Sequence, residues 1–355
     1  MSLGRLLDEA MASGKVHAAE LTISTTIMNG IIEYDDDKVF RALAGYGRRF
    51  KALFDGCPAA FAGLTRLTME NMMVREAVLD DILTTCTKLE FLSLQSWDPG
   101  RRTTQWRVRH DRLADLRITF CVFGEVHLVW LPRLERFAYR YNEFHTHEPL
   151  SFGHVPRLTT LTVSNNHHVV YTVKLSNILA NTSVQDLRLN FSGKDIWVQP
   201  EAPKRLTDVF RSLKYLKLHN VHEECGLNWT MFLLQAAPFL KELYIKLWWD
   251  HECNMQRLEK KNVPWDVPTD FKHYSLTRIT IQGFYSSKDL LATYICRLVG
   301  ATINLRELRM RENATCNNCY AARTRFPRID EDREWLVKRI TDGVSTPFKI
   351  HIVES

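Results

Sequence analysis

A six-residue phrase with apolar residues at its first, fourth and sixth positions constrains this 355-residue chain more than any other feature. It begins ten times, at Leu64, Leu89, Leu113, Leu134, Leu158, Val184, Leu213, Leu240, Leu276 and Leu305. Successive starts lie 25, 24, 21, 24, 26, 29, 27, 36 and 29 residues apart. Positions four and six stand two apart, as inward side chains of a strand do. The rest of each unit must carry the chain back to begin the next strand. Val78, Ile82, Leu83 and Cys86 fall at helical spacing before Leu92 and Leu94 resume a period of two. Phe232 to Ile245 and Leu128 to Tyr139 read the same way, a helical return followed by a strand. Neither piece buries its apolar side alone, so each unit needs its neighbours and the array grows in one dimension.

An L-x-x-L-x-L unit recurring at about 20 to 29 residues is the signature of a leucine-rich repeat. Position nine of such a repeat favours Asn or Cys, and here it holds Cys121, Asn142, Asn166 and Asn313, with Asn71 and Asn220 one residue early. These side chains are expected to bond backbone groups left unpaired where the chain leaves the strand. Pro132, Pro156 and Pro238 lie two residues before a phrase, where proline is expected to end a preceding helix. The expected fold class is α/β: a leucine-rich-repeat solenoid with a curved parallel sheet on the concave side and helices and irregular returns on the convex side.

Three regions follow. Residues 1–63 are expected to hold N-terminal repeats with an acidic loop. A helical stripe of Leu3, Leu6, Leu7, Ala10 and Met11 leads into a strand through Val16, Ala19, Leu21 and Ile23. The 48 residues from Val16 to Leu64 make about two repeat lengths. Residues 29–38, with Asp35, Asp36 and Asp37 in a row, read as an exposed loop ahead of a helix carrying Val39, Phe40, Leu43, Phe50 and Leu53. Residues 64–310 form the array, and the wide spacing after Leu240 leaves residues 248–274 as an insertion that packs back or reaches a partner. Residues 311–355 are expected to cap the array, with a helix around Glu334 to Ile340 and a last strand from Phe348 to Val353.

Composition narrows the function classes. A 45% hydrophobic and 25% charged chain is an ordinary folded one, and a net charge of +6 makes no case for nucleic acid or a membrane surface. No apolar run approaches the ~18 residues of a membrane span. The N-terminus lacks the basic and apolar regions of a secretory signal. The sequons at Asn181, Asn190, Asn228 and Asn313 therefore read as chance, and an extracellular receptor ectodomain is disfavoured. Cys86, Cys121 and Cys296 are expected as reduced core thiols, which places the chain in the cytoplasm or nucleus. Cys316 and Cys319 have half-zinc-site spacing, but the nearest second pairs, His251 with Cys253 and His222 with Cys225, are distant, so two free thiols are expected and no metal. His145, His147, His167 and His168 read as loop polarity. Of Trp248 and Trp249, one is expected to pack under the insertion and the other to face a partner. No G-x-S-x-G, G-x-x-x-x-G-K-[ST] or G-x-G-x-x-G is present. A binding protein is expected, not an enzyme, with no catalytic residue and no cofactor.

Positions five and seven of each phrase point away from the apolar side. In the last five phrases they are Arg188 and Asn190, Lys217 and His219, Tyr244 and Lys246, Thr280 and Gln282, Arg309 and Arg311. Five are Lys or Arg and none is acidic. The candidate site is thus a basic face of Arg188, Lys217, His219, Tyr244, Lys246, Arg309 and Arg311 for an acidic or phosphorylated protein segment. The competing reading is a solvated face balanced by Asp186, Glu242 and Glu307.

The segments LKYLKLHNV (213–221), CGLNWTMFLLQAAPFLKELYIKLW (225–248) and HYSLTRITIQGF (273–284) resemble the leucine-rich-repeat region of plant F-box proteins, especially those of grasses. Residues 265–310 are similar to the FBD region that follows those repeats. The resemblance implies the substrate-binding part of an SCF-type ubiquitin ligase receptor, whose F-box docks on the Skp1 adaptor while the repeats hold the target. An F-box opens on Leu-Pro and carries a Trp near its end; Met1 to Lys15 does not match it. Adaptor docking is therefore expected only with an F-box encoded upstream, and the alternative is a stand-alone scaffold or decoy that binds without ubiquitination.

Overall fold

A computed structural model describes residues 3–14, 16–25, 36–100, 105–141, 146, 148–165, 172–192, 195–222, 225–248, 263–283, 289–313, 326–344 and 347–354. Along the chain run α1 (Leu3–Ala12), β1 (Ala19–Ile23), α2 (Asp36–Gly56), α3 (Pro58–Ala62), β2 (Leu64–Met73), α4 (Glu76–Thr85), β3 (Phe91–Asp98) and β4 (Gln105–Arg109). There follow β5 (Asp115–Thr119), β6 (Glu125–Trp130), β7 (Arg136–Tyr141), β8 (Leu150–His154), β9 (Thr160–Asn165) and α5 (Leu175–Ile178). The remainder is β10 (Asp186–Asn190), β11 (Tyr215–His222), α6 (Thr230–Ala236), β12 (Glu242–Trp248), β13 (Arg278–Gln282), α7 (Asp289–Ala301), β14 (Glu307–Arg311), α8 (Asp330–Thr341) and β15 (Lys349–Val353). Each of the ten phrases forms a strand, and the large sheet takes twelve in the order β1-β2-β3-β5-β7-β9-β10-β11-β12-β13-β14-β15, as a leucine-rich-repeat protein requires. The chain divides into two compact units, residues 1–161 with 177–182, and residues 162–176 with 183–355.

In the first unit, register stacks the apolar positions into rows. Leu67, Leu92, Leu116 and Phe137 are consecutive partners, as are Met69, Leu94, Ile118 and Tyr139, and all are buried. Each such side chain contributes about 1.5–3 kcal/mol of transfer free energy. β1 pairs directly with β2, so the 48 residues before Leu64 form one long unit with α2 and α3, not two repeats. Helix α2 begins at Asp36, inside the stretch expected as a loop; residues 26–35 lie outside the described residues. At Gly47 a Cβ would collide with the Met73 carbonyl, so only glycine lets α2 lie this close to the end of β2.

The returns of this unit correct the sequence reading. Leu128 to Trp130 belong to β6, not to a helix, and β4, β6 and β8 pair in parallel as a second, three-stranded sheet. Trp106 and Val108, Val126 and Leu128, Leu150 and Phe152 alternate inward and are buried. A unit of 21 or 24 residues has few residues left after its first strand. An extended return covers about 3.3 Å per residue against 1.5 Å in a helix, so it spans the distance with fewer. Pro132 and Pro156 consequently follow strands, and only Pro238 follows a helix, α6. Each proline is the second residue of a turn in which the phrase's first N–H donates back three residues: Leu134 to Leu131 O, Leu158 to Val155 O, Leu240 to Ala237 O. The fixed φ of proline suits that position.

Two phrases replace this turn with a buried histidine. His110 Nδ1 accepts from the Leu113 N–H at 3.0 Å while its Nε2 donates to Cys86 O at 3.0 Å. In the second unit His273 Nδ1 accepts from Leu276 N–H at 3.1 Å and its Nε2 donates to Ala237 O at 2.9 Å. These bonds require the neutral ring, and burial lowers both pKa values.

Within the second unit, Leu187, Leu216, Leu243, Ile279, Leu308 and Ile350, and likewise Leu189, Leu218, Ile245, Ile281, Met310 and Ile352, form inward rows. Its returns include helices. In α6, Thr230, Met231, Phe232, Leu233, Leu234 and Ala236 are all buried, as a helix apolar on nearly every side must be. α8 buries Leu336 and Ile340, and α7 packs against it. Cys296 on α7 is half-buried, not a core thiol, and its Sγ donates to Arg339 O.

Exit from the strand follows one pattern in five of the phrases. Position eight is left-handed at Asn71, Ser96, Phe120, Asn220 and Gly283, with φ of 52°, 50°, 55°, 55° and 83°. Asn71 Nδ2 then donates to Thr25 O, Asn313 Nδ2 to Leu247 O, and Cys121 Sγ to Leu94 O. Asn220 Nδ2 instead reaches the Asn190 side chain. Asn142 and Asn166 lie outside the described residues.

Candidate partner-binding face

Parallel register sets the outward side chains of β10 to β14 in rows. Arg188 stands beside Lys217, Lys217 beside Tyr244, Tyr244 beside Thr280, and Thr280 beside Arg309. The next row brings Asn190 beside His219, and Lys246 beside Gln282 and then Arg311, with a register shift after Leu218 between the two halves. All seven residues singled out from the sequence therefore lie on one face of the second unit.

Their charges are not equivalent. Asp186, two residues before Arg188, accepts two bonds from its guanidinium, at 2.7 and 3.2 Å, and lies 3.5 Å from Lys217 Nζ. Glu307 accepts from Arg309 Nε at 2.7 Å and stands 3.2 Å from His351. That bond lowers the Glu307 carboxyl pKa, and the Asp186 bond raises that of Arg188. Arg278 takes the third acid, Glu242, at 2.5 Å. Burial, then the charges of Lys246, Arg188 and Lys217, push His219 down to about 4, against the opposing pull of Asp186, so its ring is neutral near pH 7. That ring lies 5.2 Å from the ring of Tyr244, whose hydroxyl donates to Gln282 Oε1. Burial raises the Tyr244 pKa against the nearby charge of Arg311. Among the described residues no carboxylate pairs with Lys246 or Arg311. The face thus offers two open cations, three paired ones and an aromatic pair with hydrogen-bonding edges.

The outward face of the first unit is different. Phe91 is buried although it points outward, because the guanidinium groups of Arg66 and Arg117 lie 3.9 and 5.0 Å from its ring centre. Asp115 is buried between Arg117, at 3.1 Å, and Arg136, at 3.0 Å. These residues were missed from the sequence. The signal is position three, where Arg66, Phe91, Asp115, Arg136, Asp186, Glu242, Arg278 and Glu307 align. On the small sheet His127 bridges Ser151 Oγ at 2.6 Å and Glu125 Oε2 at 3.0 Å, tying β6 to β8.

Among the described residues no group of three or more His, Cys, Asp or Glu is placed to hold a metal ion. His222 and Cys225 are buried, and burial pushes the Cys86 and Cys121 thiols up to about 12, which leaves them unreactive. Trp248 is half-buried at the end of β12. His145, His147, His167, His168, Trp249, His251, Cys253, Cys316 and Cys319 lie outside the described residues.

Residues 40–186 match the family of leucine-rich repeats of the FBD-associated F-box protein At5g56370. This stretch precedes the segments, 213–284, on which the sequence resemblance rests. No curated protein matches the chain. Among the described residues no helix is long and apolar enough to cross a membrane. Ten phrases realised as parallel strands, together with this match, make the chain a leucine-rich-repeat protein-interaction module whose residues 40–186 are similar to the repeats of an FBD-associated F-box protein.

Proposed function

We propose that the chain is the target-holding part of a plant-type F-box ubiquitin ligase receptor, active in the cytoplasm or nucleus and without catalysis of its own. The observation that carries this reading is the match of residues 40–186 to the repeats of an FBD-associated F-box protein. The parallel strands support it, because they hold outward side chains at fixed spacings of about 4.8 Å, a surface ordered before the partner arrives. On the face of β10 to β14, Lys246 and Arg311 meet acidic or phosphorylated side chains of the target, and the neutral His219–Tyr244 pair supplies an amphipathic contact. Free cysteines at Cys57, Cys86, Cys121, Cys225 and Cys296 suit a reducing compartment. Docking on Skp1 would need an F-box upstream of these repeats. Nucleic acid, membrane and cofactor have no part in this reading.

Co-purification tests it. The natural full-length protein should recover the Skp1 adaptor together with a target, and K246E/R311E should abolish target capture while leaving the adaptor bound. Recovery of the target without any adaptor would instead make the protein a scaffold or decoy.

A further inference from the structure

Where the strands of the second unit begin, the sheet edge carries a charge that the fold does not use. The residues just before the registered pairs are Gln185, Lys214, Lys241, Thr277 and Arg306. Each donates its N–H to the carbonyl of the one before, at 2.9 Å in all four steps. Strands stand about 4.8 Å apart, so Lys214 and Lys241 are close neighbours, and like charges so placed destabilise a sheet. Arg211 precedes this row, and Lys349, registered opposite Glu307 on β15, closes it by donating its N–H to Arg306 O at 2.9 Å. All of Arg211, Lys214, Lys241, Arg306 and Lys349 are exposed, and among the described residues no carboxylate pairs with any of them. The nearby acids are already engaged: Asp186 by Arg188 and Lys217, Glu242 by Arg278, Glu307 by Arg309.

Two hollows open along this edge. One, of about 380 Å³, is lined by Gln185, Arg211, Lys214, Phe239 and Lys241. The other, of about 850 Å³, is lined by Tyr274, Thr277, Arg306, Phe348 and Lys349. Ser275 lines the first and Tyr274 the second, so they adjoin. Phe239 is 56% exposed and Tyr274 65%. An exposed aromatic beside unpaired cations, repeated in two neighbouring hollows, is a surface complementary to a chain bearing both carboxylates and apolar side chains.

We infer that this edge is a docking groove for an extended acidic segment of a partner protein, its carboxylates pairing with Lys214, Lys241, Arg306 and Lys349 and its apolar side chains lying on Phe239 and Tyr274. From Lys214 to Lys349 is four strand spacings, about 19 Å, which an extended segment of roughly six residues spans. The inference rests on the protein-recognition reading but uses residues distinct from the sheet face.

The test is fluorescence anisotropy of the whole chain with a labelled decapeptide of alternating Glu and Leu. Binding should weaken with added salt. K214E/K241E/R306E should weaken it on the order of thirtyfold, taking about threefold for each exposed charge pair removed. F239A/Y274A should weaken the Glu-Leu peptide and leave decaglutamate unchanged, and K246E/R311E on the sheet face should leave both unchanged. All substituted edge residues are exposed, so unchanged melting verifies the fold of each variant. Parent-level binding by the triple reversal, loss caused only by the sheet-face reversal, tighter binding of oligothymidylate than of the peptide, or no binding to the parent would each overturn the inference. None of these outcomes bears on target capture by the face, which K246E/R311E reports separately.

Discussion

Two parts of the molecule solve the same problem, returning from one strand to the next, by different means. Units of 21 and 24 residues in the first half return as strands and build the β4-β6-β8 sheet. The units that begin at Leu64, Leu213 and Leu276, with 25, 27 and 29 residues, return through α4, α6 and α7. Their edges differ as well. Position two in the first unit holds Thr65, Glu90, Ala114, Glu135 and Thr159, and its charges pair locally, Arg112 with Glu90 at 2.8 Å and Arg136 with Glu135 at 3.8 Å. In the second unit the same position holds Lys214, Lys241 and Arg306 with no such partner among the described residues. The shortest units return as strands; the charge of the edge is independent of this, and is where the halves diverge in what they offer a partner.

The largest effects should come from the returns. If strand and helix serve the core equally, Trp106→Ala in β4 and Phe232→Ala in α6 should each destabilise by about 3–5 kcal/mol in chemical denaturation. A loss below about 1 kcal/mol at Trp106 would break the equivalence. The buried histidines come next, one in each unit. His110→Ala or His273→Ala leaves an N–H and a carbonyl unpaired and should lose about 2–3 kcal/mol. Because burial holds both rings, and His219, below the ordinary histidine pKa, the unfolded chain binds protons first on acidification. Their contribution is present above about pH 6.5 and lost as pH falls towards the folded values, about 4 for His219. Melting followed from pH 7 to pH 4 should therefore show falling stability, with a flatter profile in H110A/H273A.

Gly283→Ala should lose about 1–2 kcal/mol, since φ is +83° and a Cβ there would lie 2.6 Å from Asn313 Nδ2. The smallest effects separate the edges. Glu90→Lys should lower stability by up to about 1 kcal/mol by breaking its pair with Arg112, whereas Lys241→Glu should leave it within about 0.5 kcal/mol or raise it. Equal losses at the two sites would mean that the second edge also balances its own charge.

The strands were legible because their period is local and each phrase restates it, and so was the role of Asn71, Asn313 and Cys121 at strand exits. The small sheet was not. Leu128, Leu131 and Leu134 fall three apart and mimic a helix, and only the length of the unit argues otherwise. The histidine turns had a signal, H-x-x-L at both 110–113 and 273–276, which the fold explains through the Nδ1 acceptor three residues before the phrase. On the candidate face, the sequence offered Asp186, Glu242 and Glu307 as balancing acids, but which cations they hold, Arg188, Arg278 and Arg309, depends on side-chain geometry that spacing does not give. The edge row emerges only when strands are aligned in register, a relation between units that no single unit contains.

The most direct measurement is competitive lysine acetylation of the whole chain with and without the Glu-Leu decapeptide, read residue by residue by mass spectrometry. Labelling of Lys214, Lys241 and Lys349 should slow, with Lys246 on the sheet face and Lys51 and Lys88 in the first unit unchanged. Protection of Lys51 and Lys88, or of Lys246 alone, would contradict docking at this edge.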